Sequence, residues 1–182
     1  MRTHAPRWHK QASPDLSQQQ KQWLLGTGSL TQKLIEASQG DFSLRILRQG
    51  LATPRVDEAK ALKLPARQQA LIREIVMSGA GQDWVFARSV LPLSTLTGRL
   101  RQLKTLDNRP LGALLFKDPT MQRSAIEISR LEPHNFNYPS TTACWSRRSV
   151  FRLDQKPLLV AEVFLPSFEH FYQGQPFIKD HL

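Results

Sequence analysis

Three ionisable side chains stand inside apolar runs, and chemistry would have to start from them. Glu162 interrupts seven apolar residues in "LLVAEVFLP", residues 158–166. Arg73 sits in "ALIREIVM" and Arg88 in "WVFARSV". If these runs are strands, alternation puts Glu162 with Leu158, Val160 and Phe164, Arg73 with Leu71, Ile75 and Met77, and Arg88 with Trp84, Phe86 and Val90. A buried, unpaired charge is costly, so each group must pair, neutralise or face a polar cavity. In a cavity, an arginine offers a planar fork suited to a carboxylate. A carboxyl group there can accept a hydrogen bond or carry a proton. "WSRRSVF" adds Arg147 and Arg148, of which one points inward if the segment is a strand. The alternative is structural: a lone strand arginine commonly lies at a sheet edge, and Glu162 can pair with Arg73 or Arg88 across the sheet. Glu74 and Glu127 read as residues of a solvated face.

Other chemistry finds little support. There is no glycine-rich phosphate loop and no nucleophile elbow. Cys144 is the single cysteine, and His4, His9, His134, His170 and His181 are scattered without metal-ligand spacing. No metal and no cofactor are expected. The net charge is +10, but the bases are spread along the chain, with no dense run and no aromatic-basic repeat. That favours a basic surface or a small anionic ligand, with no nucleic-acid partner. No segment approaches the ~20 apolar residues of a membrane span, so no stable membrane insertion is expected. Residues 1–10 lack a secretion-signal pattern, and a cytoplasmic location is expected.

The elements that must position these groups follow from periodicity. Residues 1–14 read as a loose tail. "DLSQQQKQWLL" and "SLTQKLIEASQG" read as two helices, the second with Ser29 and Gln32 at capping-box spacing. "FSLRILRQG" alternates as a strand, and residues 51–68 are proline-punctuated and read as a loop. "QALIREIVMSGAGQDWVFARSVLP" reads as a hairpin with a loop over 78–82. "LSTLTGRLRQLKTL" has helical leucine spacing, "RPLGALLF" a short apolar turn or helix. "MQRSAIEISR" alternates with Ile126 and Ile128 on one side. "RRSVFRLDQKPLLVAEVFLP" is a second hairpin, turning at 154–157. About six strands, mostly joined as hairpins, predict a single α+β domain with an antiparallel sheet.

The ordered set "ALIREIVMSGAGQDWVFARSVLPLSTLTG", "RPLGALLF", "IEISR", "WSRRSVF" and "KPLLVAEVFLP" resembles bacterial chorismate–pyruvate lyase from about Trp23 to Pro166. The resemblance implies a six-stranded antiparallel sheet with helices covering an internal ligand cavity. It implies a cofactor-independent lyase that converts chorismate to 4-hydroxybenzoate and pyruvate, supplying the aromatic precursor of ubiquinone. By resemblance, Arg73 binds the ring carboxylate and Leu111 contributes its backbone N–H. Glu162 meets the ring hydroxyl, and Leu30, where the family carries methionine, supplies backbone and cavity wall. Arg73 and Glu162 are then the expected catalytic pair. Arg88, or one of Arg147 and Arg148, is left to serve the pyruvyl carboxylate. Residues 15–166 are the expected lyase-like domain and 167–182 a C-terminal extension. The segment 131–143 is longer than the family pattern, a candidate for a lid or an oligomer contact. The expected partner is the anionic substrate alone, and the expected state a monomer. The rival reading is a small-molecule sensor on the same fold; the roughly 40 residues before Phe42 lack the helix-turn-helix such regulators carry.

Overall fold

In the computed structural model, residues 5–10, 13 and 15–174 are described. The chain opens with α1 (Gln18–Leu25) and α2 (Leu30–Ala37). Ser17 and Gln20 close a full capping box on α1. On α2 only half of the expected box forms: Ser29 Oγ accepts from the Gln32 N–H, but the Gln32 side chain donates to Glu36 Oε1.

Strand β1 (Ser43–Ala52) pairs antiparallel with β2 (Ala70–Gly79), which pairs with β3 (Gln82–Pro92). Between β1 and β2 the expected loop contains α3 (Val56–Leu62), whose first turn is held by the Glu58 carboxylate accepting from the Arg55 N–H at 2.8 Å. The β2–β3 turn is tighter than expected: Ala80 and Gly81 both have positive φ, 51° and 70°, which matches the right-handed twist of a two-residue hairpin. A 3₁₀ helix over Gly98–Thr105 and α4 (Leu111–Leu115) follow. The segment read as one alternating strand is broken into β4 (Gln122–Arg123) and β5 (Glu127–Leu131), both pairing with β6 (Cys144–Leu153). β6 turns through Asp154 and Gln155 into β7 (Lys156–Phe164), and α5 (Pro166–Gln173) ends the described chain.

The seven strands form one antiparallel sheet in the order β1-β2-β3-β7-β6-β4, with β5 also on β6. Both faces are covered, which is why β2 and β3 read as nearly continuous apolar runs. On one face lie α1, α2, α4, α5 and the 3₁₀ helix. Their Leu24, Leu30, Leu34, Phe168 and Tyr172 pack on Ile75, Met77, Ala87 and Phe164, and Leu100, Leu103, Leu111 and Leu115 pack on Leu71, Leu91, Phe151 and Leu158. On the other face lies α3, with Leu62 against Ile72, Val90 and Leu159, and the segment after β5, with Phe136 against Phe86. The long 131–143 segment therefore sits on the face away from α2 and α4. There Asn137 Nδ2 donates to Glu74 and the Tyr138 hydroxyl to Asp83. Beyond the expected domain boundary, α5 adds Phe168 and Tyr172 to the core: Phe168 is fully buried and meets Trp23 edge-on at 4.8 Å. Part of the expected N-terminal tail is also tied down, with His9 and Ile128 exchanging backbone hydrogen bonds.

Candidate active site

The strand register decides which charges meet. Across the helix-covered face, Arg73 of β2 opposes Ser89 of β3 and Ser89 opposes Val160 of β7. One step along, Ala87 opposes Glu162, and Glu162 opposes Arg147 of β6. Ser149 and Phe151 of β6 share that face, and Phe151 opposes Arg123 of β4. All of these side chains but Ser149 line a small cavity roofed by Gly28, Leu30 and Thr31 of the α2 entrance and by Pro110, Leu111 and Gly112 of the α4 entrance. About 30 Å³ of it is free, room for a water or two.

Arg73 is 1% exposed, and only Nη2 has partners, donating to the carbonyls of Asp107 at 2.7 Å and Arg109 at 3.1 Å. Its Nε and Nη1 are buried without a partner. Burial pulls this guanidinium below the usual arginine range, partly opposed by the Asp107 charge. A planar fork with free donors in a closed space is a receptor for a carboxylate.

Glu162 is paired by Arg147, whose Nε donates to Oε2 at 2.5 Å; neither Arg73 nor Arg88 reaches it. Arg147 Nη1 also donates to the carbonyls of Trp23 at 3.1 Å and Gly26 at 3.0 Å. The last turn of α1 leaves such carbonyls unsatisfied, and a cation is favoured there. Arg147 thus clamps α1 to β6 and holds one oxygen of Glu162, leaving Oε1 uncommitted. Leu30 and Leu111 are each the first residue of a helix, so their N–H groups have no intrahelical acceptor. Both side chains are buried.

Arg88 and Arg148 are elsewhere. They lie on the α3 face, one register step from Arg73 and Arg147. Arg88 donates to Glu58 at 2.7 and 3.0 Å and to Glu74 at 2.6 Å. Burial works against its charge, but the hydrogen bonds and charges of Glu58 and Glu74 outweigh it and raise its pKa. Arg148 donates to Glu127 at 2.7 Å and to Asp57 at 3.0 Å, under the Trp8 ring. Neither lines the cavity, so neither serves an anion inside it. Glu74, read as solvated, is 2% exposed.

Sequence reasoning missed Arg123. Its Nε donates to Ser149 Oγ at 3.0 Å, its guanidinium stands 5.1 Å from the Phe151 ring centroid, and Nη1 is buried without a partner. Simple alternation from Arg123 to Ile128 puts the two on opposite faces. The irregular stretch 124–126 restores them to one, so parity gave no signal. Among the described residues no group of three His, Cys, Asp or Glu side chains stands close enough to hold a metal. No helix among them is long and apolar enough to cross a membrane.

A probable chorismate pyruvate-lyase of Methylococcus capsulatus is 41% identical over 152 residues, 80% of this chain and 93% of the relative. A probable chorismate pyruvate-lyase 2 of Pseudomonas fluorescens is 40% identical over 179 residues, 96% of this chain and 97% of the relative. Among solved structures, the effector domain of PhnF from Mycobacterium smegmatis shares the fold, with a TM-score of 0.55 at 17% identity over 79% of this chain and 91% of that one. The family model described as chorismate lyase matches residues 4–174, and with these relatives it shows that the chain belongs to the chorismate lyase family.

Proposed function

We propose that this chain converts chorismate to 4-hydroxybenzoate and pyruvate in the cavity beneath α2 and α4. The observation that carries the reading is Arg73: a buried guanidinium with two unpaired donor atoms at the wall of a closed cavity. The ring carboxylate satisfies those donors, and the Leu111 N–H at the start of α4 adds a further hydrogen bond. At the other end, Glu162 accepts from the ring hydroxyl through Oε1, while Leu30 closes the wall.

The reaction breaks the ring carbon–oxygen bond to the enolpyruvyl group and removes the proton from the neighbouring hydroxyl-bearing carbon. The ring becomes aromatic, and the released enolpyruvate takes up a proton to become pyruvate. Aromatisation supplies the driving force, so the protein need only hold a reactive conformer and stabilise charge on the departing oxygen. Among the described residues Glu162 is the one carboxylate lining the cavity, which supports giving it the ring proton in this reading. The free space is far smaller than the ~300 Å³ of an ordinary ligand pocket, so α2 and α4 part to admit the substrate. The reading calls for no second copy of the chain, and a cytoplasmic setting suits the buried free thiol of Cys144.

The test is incubation of purified protein with chorismate and a chelator. Equal yields of 4-hydroxybenzoate and pyruvate are expected. Binding of 4-hydroxybenzoate without turnover would instead make the chain a sensor on this fold.

A further inference from the structure

We propose that Arg123 holds the enolpyruvyl carboxylate of the substrate. This rests on the reading of the cavity as the chorismate site. Chorismate carries two carboxylates, and Arg73 accounts for one. The second needs a cation that lines the same cavity and has a donor to spare.

Five arginines come into question, and the structure sorts them. Arg88 and Arg148 face α3 and are bound to carboxylates there. Arg147 lines the cavity, but its Nε and Nη1 are committed to Glu162 and the end of α1. Arg123 remains. It lines the cavity, no salt bridge engages it among the described residues, and Nη1 is buried and unpartnered. Its orientation is built rather than accidental: Ser149 takes Nε, and Phe151 and Phe116 flank the guanidinium at 5.1 and 6.0 Å. Cation–π contact of this kind strengthens as water is excluded.

The charge balance agrees. The cavity is lined by three guanidiniums, Arg73, Arg123 and Arg147, and one carboxylate, Glu162. Two positive charges are left over, the complement of a dianion. The product, with one carboxylate, leaves one of them unmatched. Burial and the neighbouring Arg147 charge both lower the pKa of Arg123, with Glu162 opposing, so an arriving carboxylate relieves an unfavourable site. The same side chain also borders an outer cleft of about 380 Å³ shared with Lys10, Arg148 and Arg152.

The experiment compares two ligands that differ in the second carboxylate. Arg123→Met and Arg123→Lys are assayed for chorismate turnover, and their affinity for 4-hydroxybenzoate is measured by calorimetry. With Met, kcat/KM for chorismate should fall roughly 10- to 150-fold, the range for a hydrogen bond to a charged group. The Kd of 4-hydroxybenzoate should stay unchanged, because the product lacks that group. Lys should recover part of the loss without the fork. Unchanged chorismate kinetics would assign Arg123 to the outer cleft and overturn the proposal. So would equal weakening of substrate and product, the mark of a merely structural residue. If Arg123→Met fails to fold, the Lys variant decides by the same split between the two ligands. Failure of the unsubstituted protein to turn over chorismate would instead defeat the functional reading itself.

Discussion

Two side chains carry the proposed chemistry, and they separate cleanly by experiment. Arg73→Ala removes the receptor for the ring carboxylate, which substrate and product share. Both should bind more weakly by ~2–5 kcal/mol, the cost of truncating one partner of a buried charge pair. Arg73→Lys should restore only part of this. Titration with 4-hydroxybenzoate checks it, and an unchanged affinity would contradict the placement. Glu162→Gln keeps an oxygen that can accept from Arg147 Nε, and Arg147 keeps its carbonyls. The stability loss should therefore be about 1–3 kcal/mol, that of weakening one charged hydrogen bond, and below the ~3–5 kcal/mol of an orphaned buried charge. Turnover should fall ~10²–10⁴-fold if the carboxylate takes the ring proton. Melting and turnover measured on the same preparation test both halves. Turnover unchanged per folded molecule would leave Glu162 with the structural task of orienting Arg147. Both residues were legible in the sequence because each is an ionisable group among apolar strand neighbours. Arg123 was not, because its immediate neighbours Gln122 and Ser124 are polar and the break after β4 scrambles the alternation that would have aimed it.

At the scale of elements, the site depends on where α1 stops. Gly26 has φ −57°, so it is not needed for a left-handed turn. It is needed for space: a Cβ there would lie 2.5 Å from the Gln22 carbonyl oxygen. The Gly26 carbonyl is also an acceptor for Arg147. Gly26→Ala should thus distort the end of α1, shift the carbonyls that Arg147 binds, loosen that clamp and lower turnover together with stability. A crystal structure or melting curve matching the unsubstituted protein would refute the coupling. Local signals revealed α1, α2 and both hairpins well, since caps, periodicity and turn residues are written in neighbouring positions. α3 escaped because its flanks carry Pro54 and Pro65 and its seven residues show no long apolar stripe. That omission had a consequence. Alternation put Arg73 and Arg88 each among apolar strand neighbours, but without α3 nothing in the sequence supplied Glu58, and Arg88 remained a candidate for the cavity. Parity tells which residues share a face; it does not tell what covers that face.

The whole molecule is a sheet with two charged faces of opposite design. The cavity face leaves guanidiniums short of partners. The α3 face matches Arg55, Arg88 and Arg148 to Asp57, Glu58, Glu74 and Glu127 in a closed network. Part of the acid sensitivity should come from the second face. Burial alone would raise the pKa of Glu58, but the hydrogen bond from Arg88, the charges of Arg55 and Arg88 and the Arg55 N–H together hold it below the ordinary glutamate value. A carboxylate with a depressed folded-state pKa binds fewer protons folded than unfolded between the two values. Its contribution is therefore complete above the unfolded pKa of about 4.3 and is lost as pH falls through the lower folded value. Melting temperature should be nearly flat from neutrality to roughly pH 5 and drop below about 4.3. In Glu58→Gln the buried Arg88 keeps only Glu74 as a full charge partner. The neutral-pH stability should fall by ~3–5 kcal/mol, the range for breaking a buried pair, and the acid limb should become shallower. A variant whose acid limb superimposes on that of the unsubstituted protein would place the titrating carboxylates elsewhere. Because the cavity's own cations are arginines, which stay charged across this range, loss of 4-hydroxybenzoate affinity on acidification should follow unfolding or protonation of the ligand's own carboxylate and not precede it through Arg73.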